Sequence, residues 1–364
     1  MGKSTTTVTE ETLREFGLED ATEVSPFNGG HINDTFLAVS GHGKYMLQHI
    51  NHYVFKHPEH IMENMEGVTE FLRRKLEHSG GDLSRGTLTL VRTRKGNTYH
   101  LDENGNYWRC VIYIENTTAH ETAESARMLE EAGRAFGDFQ QLLCDYPADT
   151  LHEIIEDFHN TPARYRQLEE AVAGNAAGRL QDAQEEIAFA RAREKACAEL
   201  MDLLNAGKLP LRVTHNDTKM SNVLIDDTTG AAVCVIDLDT VMPGLAAFDF
   251  GDSIRAGAST AAEDETDLSK VHFNLELFEA YAKGYLGAAG KALTPLELET
   301  LPVGAKLMTL EVGMRFLADY LNGDIYFKTA YPRHNLDRAR NQFKLVSEME
   351  QKTAEMRKIV EKYA

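Results

Sequence analysis

The chain is short of cysteine, short of positive charge and without a long apolar run, and each shortage excludes a class of protein. Its four cysteines (Cys110, Cys144, Cys197 and Cys234) are far apart and form no C-x-x-C pair, so no disulfide framework is in prospect. Each sits among apolar or helical neighbours and is expected to be a buried free thiol, which fits a reducing compartment and a cytoplasmic location. Lysine and arginine total 38 against 57 aspartates and glutamates. The net charge of -19 argues against a nucleic-acid partner, which needs a basic face for phosphates. It leaves a nucleotide possible, because local donors act within a Debye length of about 8–10 Å. No stretch approaches the roughly 20 apolar residues of a membrane span. The polar N-terminus offers no apolar core for a secretory signal. Low-complexity runs and internal repeats are absent. Gly2-Lys3-Ser4 mimics the end of a phosphate-binding P-loop, but no glycine-rich approach precedes it; Met1-Gly2 with Thr6 fits a myristoylation pattern that lacks a polybasic patch. Neither is adopted, and the first residues are expected to form an arm.

What is present is the content of a two-part globular enzyme. A length of 364 residues suggests about two domains. From about 22 to 115 the chain reads mostly as strands. Thr35-Phe36-Leu37-Ala38-Val39 and residues 45–50 flank Gly41-His42-Gly43 as a hairpin. Short strands are expected over 87–93 and from Thr98, around Lys95-Gly96-Asn97, and an apolar strand over 107–114. Residues 58–78 are helical by spacing, with Ile61, Met65, Val68, Leu72 and Leu76 on one face. Beyond about 120 long helices are expected over 121–143, 182–205, 274–287, 295–321 and 333–362. Thr294-Pro295-Leu296-Glu297 is a capping box with proline at the first helical position, and Pro302 is expected to kink that helix or end its first piece. A mostly β island over 211–239 interrupts the helices. The expected fold is α+β and bilobal, with a small β-rich N-lobe over 1–115 and a larger, mostly helical C-lobe over 116–364. A nucleotide would lie in the cleft between them.

The β island carries the chemistry. His215-Asn216-Asp217 is followed by Asn222, an H-x-D-x-x-x-x-N spacing, and then by Asp237 in Val235-Ile236-Asp237-Leu238-Asp239. Kinase catalytic loops have this form, with an aspartate accepting the acceptor hydroxyl's proton and an asparagine and a second aspartate holding metal. Hard Mg²⁺ ions want such oxygen ligands. His-Asn-Asp alone would fit a polar turn; the added Asn222 and strand-borne Asp237 shift the balance to phosphoryl transfer. Asp217 is the expected base or orienting group, and Asn222 and Asp237 the metal ligands. Lys219 could reach the transferring phosphoryl group or be a solvated lysine, and both readings stand. Asp239 is a candidate for a supporting role. Phe248-Asp249-Phe250-Gly251-Asp252 looks like a second metal signature, but Asp237 already fills that position, so Asp249 and Asp252 are read as helix caps or braces for the catalytic loop.

In the N-lobe, Asn28-Gly29-Gly30-His31-Ile32-Asn33 lies between two apparent strands. Gly29 and Gly30 let backbone N–H groups approach phosphate, although a plain hairpin turn is the commoner meaning of the pair. His31 and Asn33 are candidates to face the cleft or to cap the turn. The strand position where a kinase places its phosphate-holding lysine is Gln48, so Glu66 on the next helix lacks its usual partner. Backbone groups of Tyr113, Ile114 and Glu115 are where an adenine would meet the inter-lobe strand. Arg315, in Gly313-Met314-Arg315-Phe316-Leu317, is a charge among apolar neighbours and so needs a partner, with a structural ion pair favoured on the pattern alone. Tyr326 is open between substrate contact and core packing. Lone histidines such as His272 and His334 read as structural.

These segments resemble the N-acetylhexosamine 1-kinases of the aminoglycoside-phosphotransferase-like superfamily over nearly the whole chain. The resemblance rests on Gly30-His31-Ile32-Asn33, EAGRAFGDFQ at 131–140, LRVTHNDTKMSN at 211–222, IDLDTVMPG at 236–244, FDFGDSIR at 248–255 and GMRFLADY at 313–320. The kinase loop is common to the superfamily; HNDTK and GMRFLADY are narrower. The resemblance implies ATP- and Mg²⁺-dependent phosphorylation of the anomeric hydroxyl of GlcNAc or GalNAc by a monomer. It makes Asp217 the base, Asn222 and Asp237 the metal ligands, and Arg315, Tyr326, His31 and Asn33 the sugar contacts. Kinases of another small alcohol are the alternative.

Overall fold

The computed structural model describes residues 7–27 and 32–364. Gly29, Gly30 and His31 therefore lie outside the described residues. The first part of the chain contributes α1 (Glu10–Glu15), β1 (Glu23–Pro26), β2 (Asp34–Ser40), β3 (Gly43–Ile50), α2 (Pro58–Ser79), β4 (His100–Leu101) and β5 (Tyr107–Ile112). The strands form one antiparallel sheet in the order β1-β2-β3-β5-β4. Then β6 (Thr117–Ala119) leaves that sheet and pairs with β8 (Val223–Asp226), which pairs with β9 (Ala232–Val235). A third, two-stranded sheet joins β7 (Arg212–Thr214) to β10 (Met242–Gly244). Around these small sheets stand α3 (Ala126–Leu142), α4 (Thr161–Gly174), α5 (Gln184–Arg191), α6 (Glu194–Cys197), α7 (Glu199–Asn205), α8 (Ala246–Gly257), α9 (Leu275–Ala289), α10 (Pro295–Asn322), α11 (His334–Gln351) and α12 (Thr353–Tyr363). This is the expected bilobal kinase-like architecture, a small antiparallel sheet lobe beside a helical one.

Local chemistry explains the elements that frame the cleft. Helix α2 opens on Pro58, closes on Gly80 in a left-handed conformation (φ 72°), and buries Ile61, Met65, Val68 and Leu72 at helical spacing. Those residues share an apolar cluster with Ile114, Val213, Leu238 and Val241, so one core runs from the sheet lobe into the strands of the catalytic loop. Asn64 strengthens the joint by donating to the Val241 and His152 carbonyls at 2.9 and 2.8 Å. Helix α10 has the reciprocal Thr294–Glu297 capping box. It runs through Pro302 without ending there. A Cβ on Gly304 would stand 2.1 Å from the Ala247 carbonyl of α8, and one on Gly251 would stand 2.4 Å from the Gly304 carbonyl. These two glycines let α8 and α10 touch backbone to backbone.

Several expectations differ from the structure. Residues 87–93 form only a bridge from Leu90 to Val111, because Arg92 turns away to Glu66 and Thr93 closes a turn with Asn97. The stretch 182–205 is three short helices: its alanine-rich sequence carries helical propensity throughout but no continuous apolar stripe, so packing sets the breaks. The 121–143 helix starts at Ala126, behind the Ser125 cap, and the 333–362 helix breaks at Lys352. Cys144 is exposed, since it lies just past the end of α3, while Cys110, Cys197 and Cys234 are buried; all four are free thiols. Among the described residues no helix is long and apolar enough to cross a membrane.

The glycine contact between α8 and α10 gives a direct check. Gly304→Ala is expected to lower stability by about 1–3 kcal/mol through overpacking, read as a lower denaturation midpoint in urea. An unchanged midpoint would show that the two helices can separate at no cost.

Candidate active site

The loop over His215–Asn222 runs from β7 to β8 and is braced by side chains of helix α8. The buried Asp249 carboxylate accepts the backbone N–H groups of His215 at 2.9 Å and Asn216 at 2.8 Å, and the Gln140 amide at 3.2 Å. Burial raises its pKa, and His215 and the backbone donors only partly offset that rise. One turn on, Asp252 accepts the Thr218 N–H at 2.9 Å. Burial works against ionised Asp252, yet Arg255, His159 and Lys219 together hold it below the ordinary range. Thr218 donates to the Asp249 carbonyl at 2.6 Å and Ser253 to the Thr218 carbonyl at 2.7 Å. Asp249 and Asp252 are thus braces, and the α8 N-cap is Leu245 rather than either of them. Gly244 is required here, because a Cβ would stand 2.2 Å from the Thr214 hydroxyl.

Two histidines fix the loop from other sides. His215 Nε2 donates to the Ile236 carbonyl at 2.8 Å, while its Nδ1 accepts the Asp217 N–H at 3.3 Å. That bond, with Ile236 N–H to the Asn222 carbonyl at 2.9 Å, sets the Asp237 turn beside Asn222. His159 donates from both ring nitrogens, to the Asn216 carbonyl at 3.1 Å and to buried Glu311 at 3.1 Å. Burial would neutralise His159, but Glu311 outweighs it and raises the pKa, consistent with an imidazolium under the loop.

On this support three expected residues meet. Lys219 lies 2.9 and 3.0 Å from the two Asp217 carboxylate oxygens. Asn222 donates to the Asp217 carbonyl at 2.7 Å and to its carboxylate at 3.1 Å. Burial lowers the Lys219 pKa, but Asp217 raises it by more, so the ammonium stays charged. Asp237 occupies a left-handed backbone conformation (φ 60°, ψ 59°) and is solvent-accessible, with protein packed closely around it. Its pKa is pushed up to about 6, first by burial and then by Asp239 and Asp217, against the pull of Arg109. A carboxylate without enough positive charge beside it, with an asparagine side chain adjacent, is the donor set a hard divalent cation fits.

The N-lobe residues divide. Asn33 donates to Asp239 at 2.6 Å and accepts the Asn51 N–H at 3.0 Å, so both ends of its amide are engaged within the protein. Buried Arg109 of β5, which sequence reasoning missed, donates to Gln48 at 2.8 Å and forms an ion pair with Asp239. Gln48 and Arg109 are direct cross-strand partners. Glu66 pairs with Arg92 at 2.5 Å. At the lobe junction the Tyr113 N–H donates to the Lys44 carbonyl at 3.0 Å, so that group belongs to the sheet; Ile114 is buried and Glu115 is exposed beside Lys44 at 3.6 Å.

Arg315 corrects the expectation of an ion pair. Among the described residues its guanidinium has no carboxylate partner, and it sits among three rings, 5.6 Å from Phe158, 5.8 Å from Tyr326 and 5.6 Å from Phe327. The acids one turn away are engaged elsewhere, Glu311 with His159 and Asp319 with the chain after α10. Asp319 accepts the N–H groups of Ile325, Tyr326 and Phe327 at 3.0, 2.9 and 2.9 Å, and thereby turns both aromatic residues back onto Arg315. The result is a cavity of about 500 Å³ lined by Phe158, Arg164, Arg315, Asp319, Tyr326 and Phe327. Through Glu311, one helical turn before Arg315, and His159, its wall is tied to the loop that bears Asp217.

The model of the phosphotransferase enzyme family matches residues 23–291. The chain belongs to that family. This phosphotransferase also has the shape of solved relatives of low identity. It is similar to a microcompartment-associated aminopropanol kinase at 16% identity and a TM-score of 0.63, covering 95% of this chain and 98% of that one. An aminoglycoside phosphotransferase from Alicyclobacillus acidocaldarius matches at 13% identity and a TM-score of 0.59, over 99% and 98% of the two chains. An amicoumacin kinase, solved in complex with AMP-PNP, Ca²⁺ and Ami, matches at 14% and 0.54, over 91% and 88%. These identities establish the shared fold. The family makes the protein a phosphotransferase.

The strained charge on Asp237 sets a pH signature. Its carboxyl has an ordinary pKa of 3.8 and a folded value of about 6. The folded state therefore holds that proton more tightly, and stability falls as pH rises between these values and stays lower above them. In metal-free phosphotransferase, Asp237→Asn is expected to raise stability above pH 6 by roughly 1 kcal/mol after solvent screening, and to change nothing below pH 4. Denaturation curves at pH 4 and pH 7.5 check this; a variant less stable at pH 7.5 refutes it.

Proposed function

We propose that the phosphotransferase uses ATP and Mg²⁺ to phosphorylate the anomeric C1 hydroxyl of an N-acetylated hexosamine, GlcNAc or GalNAc, giving the sugar 1-phosphate. The observation that carries this reading is the unpaired Arg315 guanidinium with its second arginine. Arg164 lines the same cavity, donating to the Phe158 carbonyl at 3.2 and 2.9 Å and to Gln167, and burial and then Arg315 lower its pKa. The acids that line the cavity do not neutralise this pair, since Glu156 and Glu170 are exposed at the rim and Asp319 is bound to backbone N–H groups. Two cations repel an ammonium group such as the one an amino alcohol carries. An acetamido carbonyl and ring hydroxyls accept hydrogen bonds from a guanidinium, and the apolar faces of a sugar suit aromatic walls such as Tyr326 and Phe158.

In this reading the chain's own groups divide the work of transfer. Asp217 accepts the acceptor hydroxyl's proton as its oxygen bonds to the γ-phosphorus and the bridge to the β-phosphate breaks. Lys219, held charged against Asp217, is close enough to offset the negative charge of the transferring group. Asn222 and Asp237 would hold the Mg²⁺, whose charge offsets that of the triphosphate. Braces from Asp249, Asp252 and His159 keep the loop fixed so that little reorganisation remains at the moment of reaction.

Turnover with Mg²⁺-ATP across GlcNAc, GalNAc, glucose, galactose, choline, ethanolamine and homoserine tests the acceptor, with ³¹P NMR reading the site of the phosphate. A 1-phosphate from the N-acetylated sugars is expected. Faster turnover of an amino alcohol would overturn the acceptor assignment. Asp217→Asn is expected to lower kcat by about 10²–10⁴-fold with the fold intact. Arg315→Ala should raise the sugar KM by about tenfold or more and leave the ATP KM unchanged.

A further inference from the structure

Two N-lobe side chains meet on one C-lobe carboxylate, and a third holds one of them in place. Arg109 reaches Asp239 from the floor of the five-stranded sheet, Gln48 orients Arg109 by accepting its Nε–H at 2.8 Å, and Asn33 reaches the other Asp239 oxygen at 2.6 Å. Thr35 closes the row by accepting from the Gln48 amide at 3.3 Å. Arg109 is 1% exposed and Asp239 3%. A buried ion pair of this kind is costly to form and costlier to break from one side, so its arrangement is specified rather than incidental.

The register gives the pair its meaning. Kinases place a lysine on the third strand and pair it with a glutamate on the following helix, within the N-lobe. Here the third-strand residue is Gln48, and the helix glutamate, Glu66, is paired with Arg92 on the partly exposed side of α2. The nearest cation to the vacated position is the residue directly across the ladder, Arg109 on β5. Its carboxylate partner is no longer on the helix. It lies on the metal-binding turn, two residues after Asp237.

We infer that Arg109 is the positioning cation of this phosphotransferase and acts through Asp239, as an ion pair that locks the sheet lobe to the Asp237 turn. Two effects follow from its place. Arg109 neutralises one of three neighbouring carboxylates, leaving Asp237 as the one to meet a divalent cation. It also joins the roof of the cleft to the floor, so that Asn33, which follows Gly29-Gly30 in sequence, shares an anchor with the metal ligand. Nucleotide and metal affinity should therefore move together when the pair is broken. The acceptor cavity around Arg315 has no part in this, so the inference stands or falls independently of which alcohol is phosphorylated.

The test is a double-mutant cycle on the full chain with Arg109→Gln, Asp239→Asn and both together, plus Arg109→Lys. Calorimetry would measure Mg²⁺-ADP binding, and turnover would give the Mg²⁺ concentration at half-maximal rate and the acceptor KM. Each single substitution is expected to weaken Mg²⁺-ADP binding and raise the Mg²⁺ requirement by about tenfold or more, with acceptor KM within about twofold. The double variant should be no weaker than the worse single, and Arg109→Lys should recover part of the loss. Because either single change leaves a buried charge unpaired and could prevent folding, the double variant, neutral at both positions, carries the measurement by itself. Losses that multiply in the double variant would mean that Arg109 acts on the nucleotide directly. Mg²⁺-ADP affinity within about twofold of the parent in every folded variant would also overturn the inference.

Discussion

One carboxylate sets the geometry on which the rest of the site depends. Asp249 is buried in α8 and receives two consecutive backbone N–H groups of the catalytic loop. Consecutive N–H groups point the same way only if the chain turns sharply, and Asn216 does so in the left-handed region with φ 64°. The turn throws Asp217 out toward the cleft and brings Asn222 under it. Burial makes this anchor expensive to ionise, and the molecule compensates with donors on every side: two amides, Gln140, and His215 and His159 nearby. The α8–α10 contact at Gly251 and Gly304 then holds the helix that carries the anchor, so that a helix-packing detail supports the loop that bears Asp217.

Charge around the cleft is arranged in matched layers. Beneath the loop, the largely buried His159–Glu311 pair and Asp252–Arg255 pair each bond to the loop backbone, at Asn216 and Thr218. At the loop surface, Lys219 covers Asp217 and Arg109 covers Asp239. Asp237 alone is left with insufficient positive charge. Arg315 is its opposite, a cation set among Phe158, Tyr326 and Phe327 with no carboxylate paired to it among the described residues.

The parts of this arrangement that could be read from the sequence are the local ones. The H-x-D-x-x-x-x-N spacing is a short-range constraint, and Asp217, Lys219 and Asn222 are in contact as a spacing of two to five residues permits. The α2 stripe and the capping box of α10 are likewise written within a few turns of chain. What was illegible is non-local. Arg109 and Asp239 are 130 residues apart, and nothing in either neighbourhood announces the other. The ring of aromatic residues around Arg315 depends on Asp319 folding the next segment back, and its sequence context suggested an ion pair instead. Helix α4 has too short an apolar stripe, Ala163, Leu168 and Ala171, to stand out. One clue to Arg109 was present, since a glutamine at the lysine position implies that a cation must come from another strand.

Two of the residues closest to the chemistry, Asn216 and Asp237, hold left-handed backbone conformations. Asparagine and aspartate tolerate that region better than any other side-chain-bearing residue, because their short polar groups can bond locally. The constraint narrows the substitutions open to the site over evolutionary time. A glutamate at position 237 would offer the same oxygen donors, yet its backbone preference disfavours it before its ligand chemistry is ever tried. The identity of the acid at position 237 is thus filtered by the shape of the chain that presents it, and that filter acts whatever the acid binds, even on copies that have lost the reaction.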